Sequence, residues 1–300
     1  MITQRFDCVI IGGGLAGLSA AATLVAHSDA NVGLVEARAI GSNKTTPLTF
    51  DDVVRRFSLE NEVIGRYRRF GFHSPLGNKS VHRYATPVLW ALNYQGACQT
   101  LLERSQTSGV VEVMQTAAVG LCRVSTQRWA VEMANGTKLT TPLVIDASGK
   151  ALFASQALNL PLPNTFSHCM GQRFAHCTMA DVDEALFLAP LDRYGNGGGW
   201  FYPLASGDVS FGYAVLSPNP TYPARRLKAC YERALHEFEP YATWLRQASP
   251  QVIEMGSIPI YPPKRFVYDG LLLAGDAAGQ ATIWSCMGTE PALVNGHMAG

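Results

Sequence analysis

Residues 6–38, FDCVIIGGGLAGLSAAATLVAHSDANVGLVEAR, read as a strand, a glycine-rich turn, a helix, a second strand and a closing acid. Residues 8–11 are a short apolar run with the β-branched content of a buried parallel strand. The run stops at Gly12, and Gly12-x-Gly14-x-x-Gly17 follows at once. In that spacing the first glycine permits a tight turn, the second lets the backbone approach a pyrophosphate, and the third lets the helix lie close to the strand. The helix N-terminus supplies the unpaired N–H groups and positive dipole end that phosphates need. Glu36 ends the second strand, where an acid suits ribose hydroxyls and repels a 2′-phosphate, favouring FAD or NAD over NADP.

Working outward, the bulk composition sets limits. Three hundred residues with 47% hydrophobic content can bury a large core near the size at which chains divide into domains. The net charge of +1 supplies no global field for nucleic acid or an anionic membrane. No basic leader precedes the first strand and no apolar run is long enough to span a bilayer, so a soluble, cytoplasmic protein is expected, with peripheral membrane contact left open. Seven scattered cysteines without a CxxC pair suggest buried thiols in a reducing compartment.

After the loop 41–47, a polar stretch with Arg55, Arg56, Arg66, Arg68 and Arg69 is expected to be helical, either a solvated face or a site for an acidic substrate. A helix is expected over 92–104 and strands over 110–114, 119–124 and 129–133. Asn135-Gly136 is read as a type I′ hairpin turn before 137–140. Residues 143–149, LVIDASG, look like a further parallel strand whose acid, Asp146, faces the same crevice. From 167 the texture becomes aromatic and alternating at 167–174, 199–203 and 209–216, indicating an antiparallel second domain. His168-Cys169 and His176-Cys177 lack metal-ligand spacing and read as structural. Residues 223–247 are amphipathic and broken by Pro240. The segment 271–279, LLLAGDAAG, returns to buried-strand grammar, with a helix expected from about 290. Gly300 falls inside that helical pattern without a cap, so C-terminal truncation is expected.

GGGLAG with Glu36, VIDASG and LLLAGDAAG, in this order, resemble the FAD-dependent proteins of the geranylgeranyl reductase type. These are relatives of glutathione reductase, as are group A monooxygenases, flavin-dependent halogenases and lycopene cyclases. The resemblance implies an α/β fold, with a Rossmann-like FAD-binding domain carrying a β-meander insertion and a second antiparallel-sheet substrate domain. The expected division is 1–75, 98–160 and 265–300 for FAD, against 76–97 and 161–264 for substrate. It implies cofactor contacts at Gly12, Gly14, Leu15, Ala16, Gly17, Glu36, Ala37, Arg38, Asp146, Gly149, Gly275, Asp276, Gly279 and Gly288, with Asp276 on the ribityl-pyrophosphate region.

Trp200-Phe201-Tyr202-Pro203 and Gly212-Tyr213-Ala214 look like the cavity-lining motif of isoprenoid reductases, which implies that Trp200 and Tyr202 bind a small apolar or aromatic substrate. The sequence departs from the family at residues 282–288, TIWSCMG, where only the last glycine of the usual Asn-Pro-Leu-Thr-Gly-Glu-Gly remains. Trp284 and Cys286 are thereby placed beside the flavin as candidate catalytic residues, Cys286 as proton donor. Tyr94 stands where an arginine is common. No second Gly-x-Gly-x-x-Gly is present, so electrons are expected from transient NAD(P)H or a protein donor. The working expectation is reduction of a carbon–carbon double bond in an isoprenoid-like substrate. The alternatives are a flavin-dependent monooxygenase or halogenase, and a non-redox flavin-binding protein or cyclase. Against a halogenase, the Trp-x-Trp-x-Ile-Pro signature is missing.

Overall fold

The CVII run forms the strand Cys8–Ile11, every residue of it buried, because it lies inside a sheet covered on both faces. The computed structural model describes residues 3–43, 45–74, 76–177, 183–189, 195–282 and 285–300. The chain divides into two units. The first comprises Met1–Asn43, Gln95–Asn164 and Pro259–Gly300, and the second Lys44–Tyr94 and Thr165–Ile258. Segment 44–75, expected with the cofactor domain, therefore belongs to the second unit.

In the first unit a six-stranded sheet runs Val267–Tyr268, Leu271–Leu273, Leu143–Asp146, Cys8–Ile11, Val32–Glu36, Val111–Gln115. All neighbours are parallel except the antiparallel edge strand Val267–Tyr268. The expected meander, Ala118–Ser125, Arg128–Met133 and Lys138–Thr141, is joined by Thr3–Arg5 as a parallel fourth strand. Leu121, Trp129, Val131, Met133 and Leu139 of this sheet form one core with Val9, Ile11, Val35 and Val144 of the parallel sheet. The turn at Asn135-Gly136 is not type I′, which needs positive φ at both central residues. Only Gly136 has it, at +82°, and Met133 and Thr137 close the hairpin by Met133 N–H to Thr137 O at 3.0 Å. The helix Leu15–His27 packs on the helix Thr289–Ala299 at very short range, because a Cβ on Gly296 would lie 2.2 Å from the Ala16 carbonyl oxygen.

In the second unit a seven-stranded sheet has the order Ser249–Ile260, Thr165–Ala175, Val209–Ser217, Gly197–Pro203, Glu184–Leu188, Arg69–His73, Lys79–Arg83. The Glu184–Leu188 and Arg69–His73 neighbours are parallel. The helices Ala224–Glu237 and Tyr241–Leu245, separated as Pro240 requires, bury Leu227, Tyr231 and Tyr241 against Phe201, Phe211 and Tyr213 on one face of the sheet. A three-stranded sheet joins Leu48–Phe50, Leu89–Leu92 and Val63–Tyr67. The arginine-rich segment is thus α-helical over Asp51–Arg56, with a 3-10 turn at Glu60–Glu62, while Arg66 and Arg69 lie on strands. The helix expected over 92–104 begins after the strand Leu89–Leu92, at Tyr94, and runs to Ser108. The seven cysteines form no disulfide, but only Cys8 and Cys98 are buried and Cys122 is exposed, which corrects the expectation of uniformly buried thiols.

The tightest turn in the first unit makes a direct prediction. A Cβ at Gly17 would lie 1.9 Å from the carbonyl oxygen of Gly12, so Gly17→Ala must push the helix off the strand. A loss of about 1–3 kcal/mol in urea unfolding is expected, and unchanged stability would show that the helix does not sit on this turn.

Candidate functional site

The parallel strands end together, with Asp146 in register with Ile11 and with Leu273, and Ile11 with Val35. The segments following these strands therefore meet at one carboxyl edge, the place where doubly wound sheets bind ligands. At that edge Gly12 has φ +110°, and a Cβ on it would fall 2.2 Å from the Ala147 carbonyl oxygen. Gly14 caps the helix Leu15–His27 with its backbone alone, and no side chain bonds to the helix start or places a negative charge in its first turn. The first intrahelical backbone bond reaches Leu18 N from Gly14 O at 2.9 Å, leaving the N–H groups of Leu15, Ala16 and Gly17 for an external acceptor.

Glu36 is oriented by its neighbours. Its Oε2 accepts from Gly13 N–H at 2.8 Å and its Oε1 from Arg38 N–H at 2.8 Å. Each oxygen keeps lone pairs for hydroxyl donors. Ala37 and Arg38 are exposed beside it, and the Arg38 guanidinium donates to Asn43 Oδ1 at 2.9 Å.

The two later acids, alike in sequence, differ in surroundings. Asp146 is fully enclosed. Its Oδ1 accepts from Ser148 N–H at 3.0 Å and its Oδ2 from Ala154 N–H at 2.7 Å. Burial raises its pKa and these hydrogen bonds oppose the rise. Asp146 thereby fixes the turn that carries Ala147, against which Gly12 rests, and Gly149, whose φ is +63° with open space where a side chain would go. Asp276 is surrounded by protein yet keeps some surface open, and its carboxylate has no hydrogen-bond partner among the described residues. Desolvation alone raises it from the ordinary 3.8 to about 6.

The turn around Asp276 closes the cradle. Gly275, at φ +62°, lies against the first helical turn, where an added Cβ would meet the Ala16 Cβ at 2.9 Å. Gly279, also left-handed, lies against Pro163. A Cβ at Gly288, the N-cap of the last helix, would be 3.2 Å from Asp276 Oδ1. The structure therefore brings together Gly12 to Gly17, Gly275 to Gly279 and Gly288 around an unpartnered carboxylate, with the Glu36 carboxylate bound to Gly13 of the same turn. Cys286, two residues before Gly288, is half-buried with φ +54°, its N–H bonded to Thr282 O at 2.8 Å. Trp284 lies outside the described residues.

The second unit carries the aromatic motif. Trp200 pairs with Gly212, which pairs with Gly171, and the indole lies across both glycines: Cβ atoms there would meet the ring at 2.1 Å and 2.5 Å. Its Nε1 donates to Ser210 Oγ at 3.0 Å. On the same face Trp200 pairs with Phe187, and Phe187 with Phe72. Phe70, Phe72 and Phe187 meet with ring centroids 5.3–5.9 Å apart, and Phe72 is 43% exposed. Sequence reading missed these three phenylalanines, because the charged stretch reaching Arg69 was read as helical and no strand was read over 184–188.

Tyr202 shares the face but is 4% exposed, with its hydroxyl donated to Thr46 O at 2.5 Å. Burial pushes the phenol up, so it remains protonated as that donor. Thr46 is held on every polar atom. Its N–H and hydroxyl reach the Glu254 carboxylate at 3.3 and 3.1 Å, and Arg173 Nε donates to its Oγ1 at 2.9 Å. Tyr202 thus anchors the strand entry at Thr46, while Trp200 retains an accessible ring. His168, as read from sequence, is structural: its nitrogens are matched by Ser257 Oγ at 2.8 Å and Asn219 O at 3.0 Å. Among the described residues no group of three or more His, Cys, Asp or Glu could hold a metal.

This architecture, a parallel-sheet dinucleotide domain with a separate mainly antiparallel unit, is the fold shared with geranylgeranyl reductase-like proteins and FAD-dependent halogenases. Residues 7–183 match the family model described as lycopene cyclase protein, more than half of the chain, and the chain belongs to that family. Over 121 residues it is 29% identical to digeranylgeranylglycerophospholipid reductase 2 of Methanopyrus kandleri, a match covering 40% of this chain and 30% of that protein. The fold is shared with a geranylgeranyl bacteriochlorophyll reductase-like protein of Thermoplasma acidophilum (TM-score 0.86, 18% identity, 99% of this chain and 77% of the other). It is shared also with p-nitrophenol 4-monooxygenase of Pseudomonas putida (TM-score 0.76, 16% identity, 100% and 79%). Among the described residues no helix is long and apolar enough to cross a membrane.

The isolated carboxylate of Asp276 has a measurable consequence in ligand-free protein. Its folded value of about 6 exceeds the ordinary 3.8, so between these values the folded state holds the extra proton. Stability from this group is therefore highest below about pH 4 and falls as pH rises to about 6. Asp276→Asn is expected to be more stable than the parent at pH 7.5, by on the order of 1–2 kcal/mol, with the gap closing below about pH 4 in chemical denaturation. An equal gap at both pH values would contradict the assignment.

Proposed function

We propose that the protein binds FAD in the cradle of its first unit and reduces a carbon–carbon double bond of an apolar, isoprenoid-like substrate. The observation that carries the substrate reading is the partly exposed aromatic row Trp200, Phe187 and Phe72, laid on a glycine floor. Partly exposed flat rings suit a flexible hydrocarbon, which needs contact area rather than directed hydrogen bonds. The names of the relatives agree. The family model is described by lycopene and the curated relative by a digeranylgeranyl lipid, both isoprenoids.

The residues of the cradle fit FAD. The N–H groups of Leu15, Ala16 and Gly17 would donate to the pyrophosphate, Glu36 would accept from the ribose hydroxyls, and Asp276 would accept from the ribityl hydroxyls, which would end its lack of a partner. Gly12, Gly275 and Gly279 supply left-handed backbone at the turns, and Asp146 stabilises the turn behind Gly12. FAD, when bound, supplies the hydride chemistry. The protein must supply the balancing proton, and Cys286, two residues from the glycine that abuts Asp276, is the proposed donor. Electrons would reach the cofactor from transient NAD(P)H or a protein donor.

A second reading, a cyclase using flavin without net redox change, is favoured by the description of the family model. The two are separated by reducing the bound flavin anaerobically and adding a polyprenyl alkene. Stoichiometric flavin oxidation with an alkene two hydrogens heavier is expected. An isomer of unchanged mass with the flavin still reduced would favour the cyclase, and oxygenated product formed only in air would favour a monooxygenase. Trp200→Ala is expected to raise KM about tenfold while flavin content is unchanged.

A further inference from the structure

Two of the arginines that sequence reading left between a solvated face and an acidic-ligand site, Arg55 and Arg66, are organised around one buried indole. Thr49, Trp90 and Arg66 form a cross-strand row, Trp90 pairing with Thr49 on one side and Arg66 on the other. The Arg66 guanidinium lies 4.9 Å from the Trp90 ring centroid, and that of Arg55, from the short helix Asp51–Arg56, lies 4.7 Å from it. Two like charges therefore share one aromatic ring that is only 3% exposed, while both guanidinium groups reach solvent. Arg55 has a single loose, exposed partner, Asp51 at 3.4 Å, and no carboxylate lies in salt-bridge range of Arg66 among the described residues. Beneath them, Trp90 Nε1 and Thr49 Oγ1 are buried without hydrogen-bond partners. Both of these orphan groups can donate, so the row is rich in donors and positive charge and short of acceptors.

We propose that Arg55, Arg66 and the Trp90 row form a binding site for a phosphate group, as a diphosphate or phosphomonoester carried by a small molecule or lipid. Stacking on the indole fixes each guanidinium plane in advance, so less side-chain freedom is lost when its fork closes on phosphate oxygens. An anion beside Arg66, which has no carboxylate in salt-bridge range among the described residues, and Arg55, whose one ion pair is loose, also offsets the repulsion between the two charges. The site consists of residues from Lys44–Tyr94 alone and does not depend on the flavin reading.

The test is titration of the flavin-containing protein with inorganic pyrophosphate at low salt, followed by calorimetry and by tryptophan emission, with Trp90→Phe identifying the responding ring. Saturable one-site binding is expected, weakened about tenfold by Arg66→Gln or by Arg55→Gln, each a loss of charge-assisted bonds. Arg66→Lys, which keeps the charge but not the planar fork, is expected to recover only part of it. Thermal midpoint and flavin content, read in the same samples, should be unchanged. Vesicle flotation with phosphatidate against phosphatidylcholine gives the source: selective, Arg66-dependent flotation assigns a lipid headgroup, and its absence beside pyrophosphate binding assigns a soluble phosphate. No saturable binding, equal binding by Arg66→Gln and parent, or full recovery by Arg66→Lys would overturn the proposal.

Discussion

A side chain at Gly17 would strike the carbonyl of Gly12, and one at Gly12 would strike the carbonyl of Ala147. Because the two approaches share Gly12, the first helix, the first strand and the end of the Leu143–Asp146 strand are locked as one backbone packing unit. The geometry leaves the first N–H groups of the helix turned to the carboxyl edge with no capping side chain. Close packing and ligand readiness therefore meet in one turn: a side chain at Gly12 or Gly17 would separate strand from helix, and glycine at the N-cap brings no capping group. The third contact, Gly275 against Ala16, brings Asp276 to the same place.

Those parts were legible in sequence because their signals are local. A four-residue apolar run, three glycines and a strand-ending acid each act within one turn, and the observed Cys8–Ile11, Leu15–His27 and Val32–Glu36 differ from the reading by a residue at most. Asp146 and Asp276 show where local reading ends. Asp146 ends a buried strand and Asp276 follows one by three residues, each beside a small-residue turn, yet one carboxylate is consumed by two backbone N–H groups and the other has none. That difference depends on the backbone that follows, the Gly149–Ala151 and Phe153–Ala157 turns in one case and the Gly275–Ala278 turn in the other.

The second unit was harder to read for a related reason. Arg66 and Arg69 lie on strands of a region whose charge suggested a helix, and the strands there are only three to five residues long, too short to show alternation. The long strand Ser249–Ile260 was missed because its first five residues are all exposed, Val252 and Ile253 among them, without the inside-outside period of a half-buried strand. The aromatic motif was visible as residues, but not as a surface. Only strand pairing reveals that Gly171 and Gly212 form the floor for Trp200, that Phe187 and Phe72 extend it, and that Tyr202 on the same face is spent on Thr46.

The central claim is that the first unit is the binding site of FAD rather than of a nicotinamide dinucleotide. It is tested most directly by mass spectrometry and absorbance of the small molecules released from purified protein by mild denaturation. FAD at close to one per chain is the predicted result. Recovery of NAD without any flavin, or failure of the emptied protein to rebind added FAD, would contradict the account.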